Sequence, residues 1–192
     1  MSNTAGLVTT GKPKTTGAVY VAPKGTAVPE DATTPLTEDY ICLGHVSEDG
    51  LSNSNELNVS EIKAWGGVTV YRPLTDMTDE FSLTLIESEN LDVMKTIFGA
   101  ANVTSTATSS ILPIGGYDTA SIDVKVNDPE EMVWVFELAL RNSKKKRIVI
   151  PDGAITAREE IAYNDSDAVG YGITVSAYPD EDGVTHKEYI AA

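Results

Sequence analysis

Phe81-Ser-Leu-Thr-Leu-Ile-Glu-Ser-Glu-Asn-Leu-Asp-Val-Met-Lys-Thr-Ile-Phe-Gly99 changes its hydrophobic period partway along, and that change decides the fold class. Phe81, Leu83 and Leu85 alternate with Ser82 and Thr84, the two-residue period of a strand with one buried face. Further on, Leu91, Met94, Ile97 and Phe98 recur at helical spacing. Asn90 or Ser88 can cap the helix, Asp92 falls in the first turn where the helix dipole favours an anion, and Gly99 is placed to close it. A helix over about residues 89–98 is too short to stand alone, so its apolar stripe is expected to pack across the sheet that contains residues 81–85.

The same two-residue period recurs on both sides of this segment. It is present in Ile122, Val124 and Val126, and strongest in Met132, Trp134, Phe136, Leu138 and Leu140. Val169, Tyr171, Ile173 and Val175 repeat it, with Gly170 and Gly172 leaving room on the opposite face. Pro151-Asp-Gly153 and Pro179-Asp-Glu-Asp-Gly183 carry the residues that turns require. These features predict a mainly β chain, antiparallel, with one short helix. Tyr40 to Val46 reads as a strand leading into a long connection at about 47–78, longer than a compact domain needs, within which Leu57, Val59 and Val68 to Tyr71 allow a hairpin. Residues 1–39 are rich in Thr and Pro, with little patterning outside Ala18 to Val21, and read as an extended N-terminal arm. The expected organisation is therefore an arm, 1–39, and a single β domain, 40–192.

A length of 192 residues, 41% hydrophobic and 22% charged, fits one globular domain, and no apolar run is long enough for a membrane helix. The net charge of −15 argues against binding a phosphate backbone, because such affinity comes from cations that displace counterions. The acid is spread along the chain and forms no tail. Cys42 is the one cysteine and cannot form an intrachain disulfide. Met1 to Gly6 has neither the basic nor the apolar region of a secretory signal, so the chain is expected in the cytoplasm when made.

Catalytic chemistry is hard to place on these residues. His45 and His186 lack a second His or Cys at metal-ligand spacing. Asn164 to Asp167 and Asp180 to Gly183 lack the spacing of a calcium loop, and Glu159-Glu160 would point to opposite faces of a strand. Phosphate-binding glycine loops and the nucleophile elbow are missing. The expectation is a protein that is not an enzyme, with no cofactor and no metal. Two features invite an assembly reading. Lys144-Lys-Lys-Arg147 is the one basic run and offers a neighbour's carboxylates a docking patch, against the plainer reading of a solvated turn. Trp65, beside Gly66 and Gly67, either tucks against its own domain or anchors a subunit contact.

Several stretches together resemble the major tail proteins of long-tailed bacteriophages, the subunits of the tail tube. They are Tyr40-Ile-Cys-Leu-Gly-His-Val-Ser-Glu-Asp-Gly50, Ile62-Lys-Ala-Trp-Gly-Gly67, the Phe81 to Gly99 segment, Arg147-Ile-Val-Ile-Pro-Asp-Gly153 and Gly170-Tyr-Gly-Ile-Thr-Val-Ser-Ala-Tyr-Pro-Asp180. The resemblance covers most of residues 40–190. It implies a β-sandwich or barrel-like tail tube fold with a flanking helix, and hexameric rings stacked into a hollow tube through which DNA is delivered. It further implies tape-measure, tail terminator and baseplate proteins as partners, DNA as a non-adhering cargo, no membrane, and a place in the virion tail. No active site comes with it. Trp65, Gly66 and Gly67 become candidates for the contact between rings. The competing reading is an immunoglobulin-like or carbohydrate-binding β-sandwich module, with Trp65, Tyr163 and Tyr178 as a ligand platform.

Overall fold

The computed structural model describes residues 8–14, 18–112 and 118–192. The strands are β1 (Lys12–Pro13), β2 (Val19–Pro23), β3 (Ile41–Cys42), β4 (Val46–Val59), β5 (Ile62–Lys63), β6 (Thr69–Tyr71) and β7 (Leu74–Leu85). After helix α1 (Leu91–Phe98) come β8 (Val103–Ser105), β9 (Ala120–Ile122), β10 (Glu131–Ala139), β11 (Lys145–Arg158), β12 (Tyr171–Ala177) and β13 (Lys187–Ala191). The large sheet runs β3-β2-β10-β11-β12-β7-β4, with β1 beside β10 and β13 beside β11, and every pairing is antiparallel. It is mainly β, as the alternation predicts, and it does not close into a barrel.

The sheet folds over on itself. Val19 and Val21 of β2, Trp134 and Phe136 of β10, and Ile148 and Ile150 of β11 share one core with Phe81, Leu83 and Leu85 of β7 and Ile173 and Val175 of β12. Phe81 stacks on Phe136 across that core with ring centroids 5.7 Å apart. The β2-β10-β11 half and the β12-β7-β4 half thus meet inner face to inner face, in the manner of a sandwich. Trp134 is fully buried and donates its indole N–H to the Gly153 carbonyl at 3.2 Å, so the largest side chain of the core leaves no polar atom unsatisfied.

The corner is made by β11, whose first part pairs with β13 and whose last part pairs with β12. Pro151-Asp-Gly153, expected as a turn, lies inside this strand, where the pairing with β10 slips between Met132 and Trp134. A bulge tolerates the proline that a regular ladder would not. The alternation at Val124 and Val126 builds no strand beyond Ile122, and both side chains are exposed.

Part of the expected arm joins the sheet, at the patterned Ala18 to Val21 stretch. Val19–Pro23 is an interior strand, with β3 on one side and β10 on the other. Residues 24–40 cover the outer face of this half-sheet, where Val28, Leu36 and Tyr40 pack on Ala22, Val133, Val135 and Val149. Residues 1–7 and 15–17 of the arm lie outside the described residues.

Helix α1 follows its caps. Asn90 accepts from the Asp92 amide at 3.0 Å, and Gly99 donates to Lys95 O at 2.9 Å. Val93 and Ile97 complete the main core, while Leu91 and Met94 pack with Val103, beside the β8-β9 hairpin. Among the described residues, no helix is long and apolar enough to cross a membrane.

Candidate functional site

The connection expected at about 47–78 is a long hairpin. Strands β4 and β7 pair from Leu51 and Leu83 out to Val59 and Leu74. On its other side β7 is paired by β12 only over Glu80 to Leu85. Beyond Asp79 the ribbon has two strands and leaves the domain, with both faces in solvent. Apolar side chains are nonetheless frequent there: Leu57 lies opposite Met77 and Val59 opposite Leu74, all four exposed. A two-stranded ribbon has no core of its own and is marginal in water.

At the far end β5 and β6 form a second, smaller hairpin, with Arg72 and Glu61 paired at 3.1 Å. Ala64 donates to Val68 O at 2.8 Å and Gly67 to Ala64 O at 2.9 Å. Gly66 and Gly67 have φ of 107° and 90°, a left-handed conformation that side chains disfavour. These glycines let the chain reverse directly after Trp65, whose relative accessibility is 108%. The indole therefore does not tuck against its own domain. Val68, Val70 and Tyr71 are exposed beside it.

The root of the ribbon is fixed by a buried acid that sequence reasoning missed. Asp79 is 2% exposed and accepts from Asn53 Nδ2 at 2.8 Å and Thr185 Oγ1 at 2.6 Å, and its Oδ2 lies 2.5 Å from His186 Nδ1. Burial pushes the carboxyl up, but the hydrogen bonds from Thr185, Asn53 and His186 outweigh it and hold the group below the usual carboxylate range. The sequence cue was an acid in phase with Phe81, on the inward register of β7. The other histidine, His45, pairs with Glu87 at 2.6 Å beside the helix cap. No cluster of three metal-ligating side chains occurs among the described residues.

The basic run is divided by the strand. Arg147 is 2% exposed and donates to Glu137 directly across the β10-β11 ladder, Nε lying 3.1 Å from Oε1. Its Nη1 donates to Asp31 O at 2.7 Å, and Lys14 also pairs with Glu137. Arg147 is therefore paired inside its own chain, unlike the exposed cation that the expected patch would use. Lys146 pairs with Glu188 at 2.7 Å. Lys144 and Lys145 remain at the rim of a pocket of about 260 Å³ and have no ion-pair partner among the described residues.

The remaining candidates form no centre. Asn164 accepts from the Ser166 and Asp167 amides in an Asx turn, and Asp180 does the same for Asp182 and Val184. Tyr163 is exposed on the β11-β12 connection, on a different element from Trp65. A cleft of about 490 Å³ between the end of α1 and the bent part of β11 is lined by Asn102, Asp128, Glu130 and Arg158 and holds neither His nor Cys.

What the fold presents is thus a packed sandwich that carries its apolar surface outward on a ribbon. The chain belongs to the phage tail tube protein family, whose match spans residues 3–192. It is a structural component of the phage tail. No curated protein matches it. Solved structures similar to it include the anti-feeding prophage tube terminating cap, at TM-score 0.44 and 9% identity over 100% of both chains. A second is the sheath/tube terminator of the extracellular contractile injection system PVC in its extended state, at TM-score 0.39 and 11% identity over 94% of this chain and 98% of that one.

Proposed function

We propose that the chain is the tube subunit itself, with six copies closing into a ring and rings stacking into a hollow conduit for DNA. The observation that carries this reading is the ribbon of residues 53–79, which exposes Leu57, Trp65, Val70 and Tyr71 in solvent. In a stack, the tip bearing Trp65, Gly66 and Gly67 seats on the adjacent ring and is withdrawn from water there. Edge strands β3 and β4 are then covered by neighbours, which removes the aggregation hazard of an open sheet.

The acidity suits a conduit. Six chains at −15 each put about −90 on a ring, and a lumen of that sign repels DNA instead of holding it. The partners are other copies of the chain, together with tape-measure, tail terminator and baseplate proteins. DNA is cargo, the role involves neither catalysis nor a cofactor, and the subunit waits in the host cytoplasm before assembly. Sedimentation across a concentration series tests the reading. Growth into large species above a threshold concentration supports it, whereas a compact monomer throughout favours a sandwich binding module.

A further inference from the structure

Charge follows a second pattern that the ribbon does not use. Between Leu138 and Pro151 lie five cations and no carboxylate, whereas the stretch from Glu159 through His186 holds seven carboxylates and no Lys or Arg. The fold places Lys144 and Lys145 on one outer face and the first part of the acidic segment, Glu159 to Gly172, on the opposite one. Glu137 and Arg147 are in phase with Val133, Val135 and Val149, which turn away from the main core, and the pocket of about 260 Å³ rimmed by Lys144 and Lys145 opens beside them. On the other half-sheet Thr84, Gly170 and Gly172 turn away from the core, and a groove of about 480 Å³ lies over them. Glu48, Asp49, Glu159, Glu160 and Asp167 line that groove, and no Lys or Arg does.

The two half-sheets meet by their inner faces, so these two outer surfaces point apart and cannot pair within one chain. They can pair only between chains, front to back, which is the heterologous contact that closes a ring when its rotation allows. We infer that the Lys144–Lys145 rim docks on the acidic 159–167 segment of a second copy, with Glu160 and Asp165 as the groups it meets. Glu160 and Asp165 are exposed, and neither has an ion-pair partner among the described residues. Arg147 and Lys146 are already committed within the chain, which leaves the two unpaired lysines as the part of the basic run that acts outward. In subunits that otherwise repel one another, opposite charge at one seam sets both register and partner face. This assignment rests on the ring reading above and names the lateral contact it requires.

The test uses two one-sided charge reversals, Lys144→Glu with Lys145→Glu, and Glu160→Lys with Asp165→Lys. A chain carrying all four substitutions and a 1:1 mixture of the two one-sided chains complete the set. Urea unfolding checks that every chain is folded, and sedimentation with electron microscopy reads assembly. Each one-sided chain is expected to need at least ~10-fold more protein for half-assembly. The four-substitution chain is expected to recover, because both faces have changed sign. The mixture is expected to recover as well, since alternating copies present opposite charges at every seam of a six-membered ring. One-sided chains that assemble like the original overturn the seam and leave the ring reading intact. Loss of assembly that neither the mixture nor the four-substitution chain repairs shows that the lysines meet some other surface, and overturns it too. An original chain that is folded yet never assembles removes the ring reading and this inference together.

Discussion

Asp79 and His186 lie 107 residues apart in sequence, and His186 Nδ1 sits 2.5 Å from the Asp79 carboxylate at the point where the ribbon leaves the sandwich. Thr185 and Asn53 complete the site, so one buried acid ties β4, β7 and the approach to β13 together. Replacing Asp79 with Ala leaves three polar groups without their shared acceptor. Hydrogen bonds to charged groups contribute roughly 1.5–3 kcal/mol each, and their losses overlap. A destabilisation of about 2–4 kcal/mol is expected in urea unfolding. Hydrogen exchange should quicken most at residues 53–59 and 74–79, and unchanged protection there would detach the ribbon from Asp79.

Acid should weaken the fold in a defined direction. Asp79, Glu87 and Glu137 each lose solvation on burial, which raises their pKa, yet hydrogen bonds and cations more than compensate and hold all three below the ordinary value. A carboxyl depressed in the folded state binds fewer protons there than in the unfolded chain. Its contribution is complete above the unfolded value of about 4 and is lost as pH falls through the folded value. Thermal unfolding followed from pH 7 downward should show stability falling below about pH 4, with that slope reduced in Glu137→Gln. An increase in stability on acidification would contradict these assignments.

The Glu137–Arg147 pair is buried, so breaking it and replacing it differ. Glu137→Gln leaves the guanidinium without its counter-charge and should cost about 3–5 kcal/mol. Substituting both positions with apolar residues of similar volume should cost much less, because no charge then remains buried. Paired urea titrations of the single and double variants decide this, and equal losses would argue against a buried ion pair.

Trp65 separates assembly from folding. Its indole touches little of its own chain, so Trp65→Ala should change unfolding free energy by no more than about 0.5 kcal/mol. Growth in sedimentation should nonetheless be lost. A variant that polymerises normally would take the tip out of the stacking contact.

Local periodicity made part of this legible. Phe81, Leu83 and Leu85 and the helix caps at Asn90 and Gly99 are short-range signals, and they form as read. The second buried face of β10 was not legible, because Val133 and Val135 are covered by residues 24–40, a contact no local pattern reveals. The ribbon was legible only in part: Leu57, Val59 and Val68 to Tyr71 allowed a hairpin, whereas Ser52 to Asn55 and Thr75 to Thr78 have solvent on both faces, where no alternation distinguishes strand from loop. Pro151-Asp-Gly153 misled because a bulge and a turn ask for the same residues. Trp65 was visible as an aromatic beside glycines, whereas the burial of Arg147 depended on Glu137 and Asp31 reaching it from distant parts of the chain.

Whether this chain builds the tube is decided by electron microscopy of the purified protein across a concentration series, with class averages viewed down the axis. Six-subunit rings are expected, with hollow tubes that lengthen as concentration rises. Folded single subunits at every concentration, or aggregates without a lumen, would contradict the tube assignment.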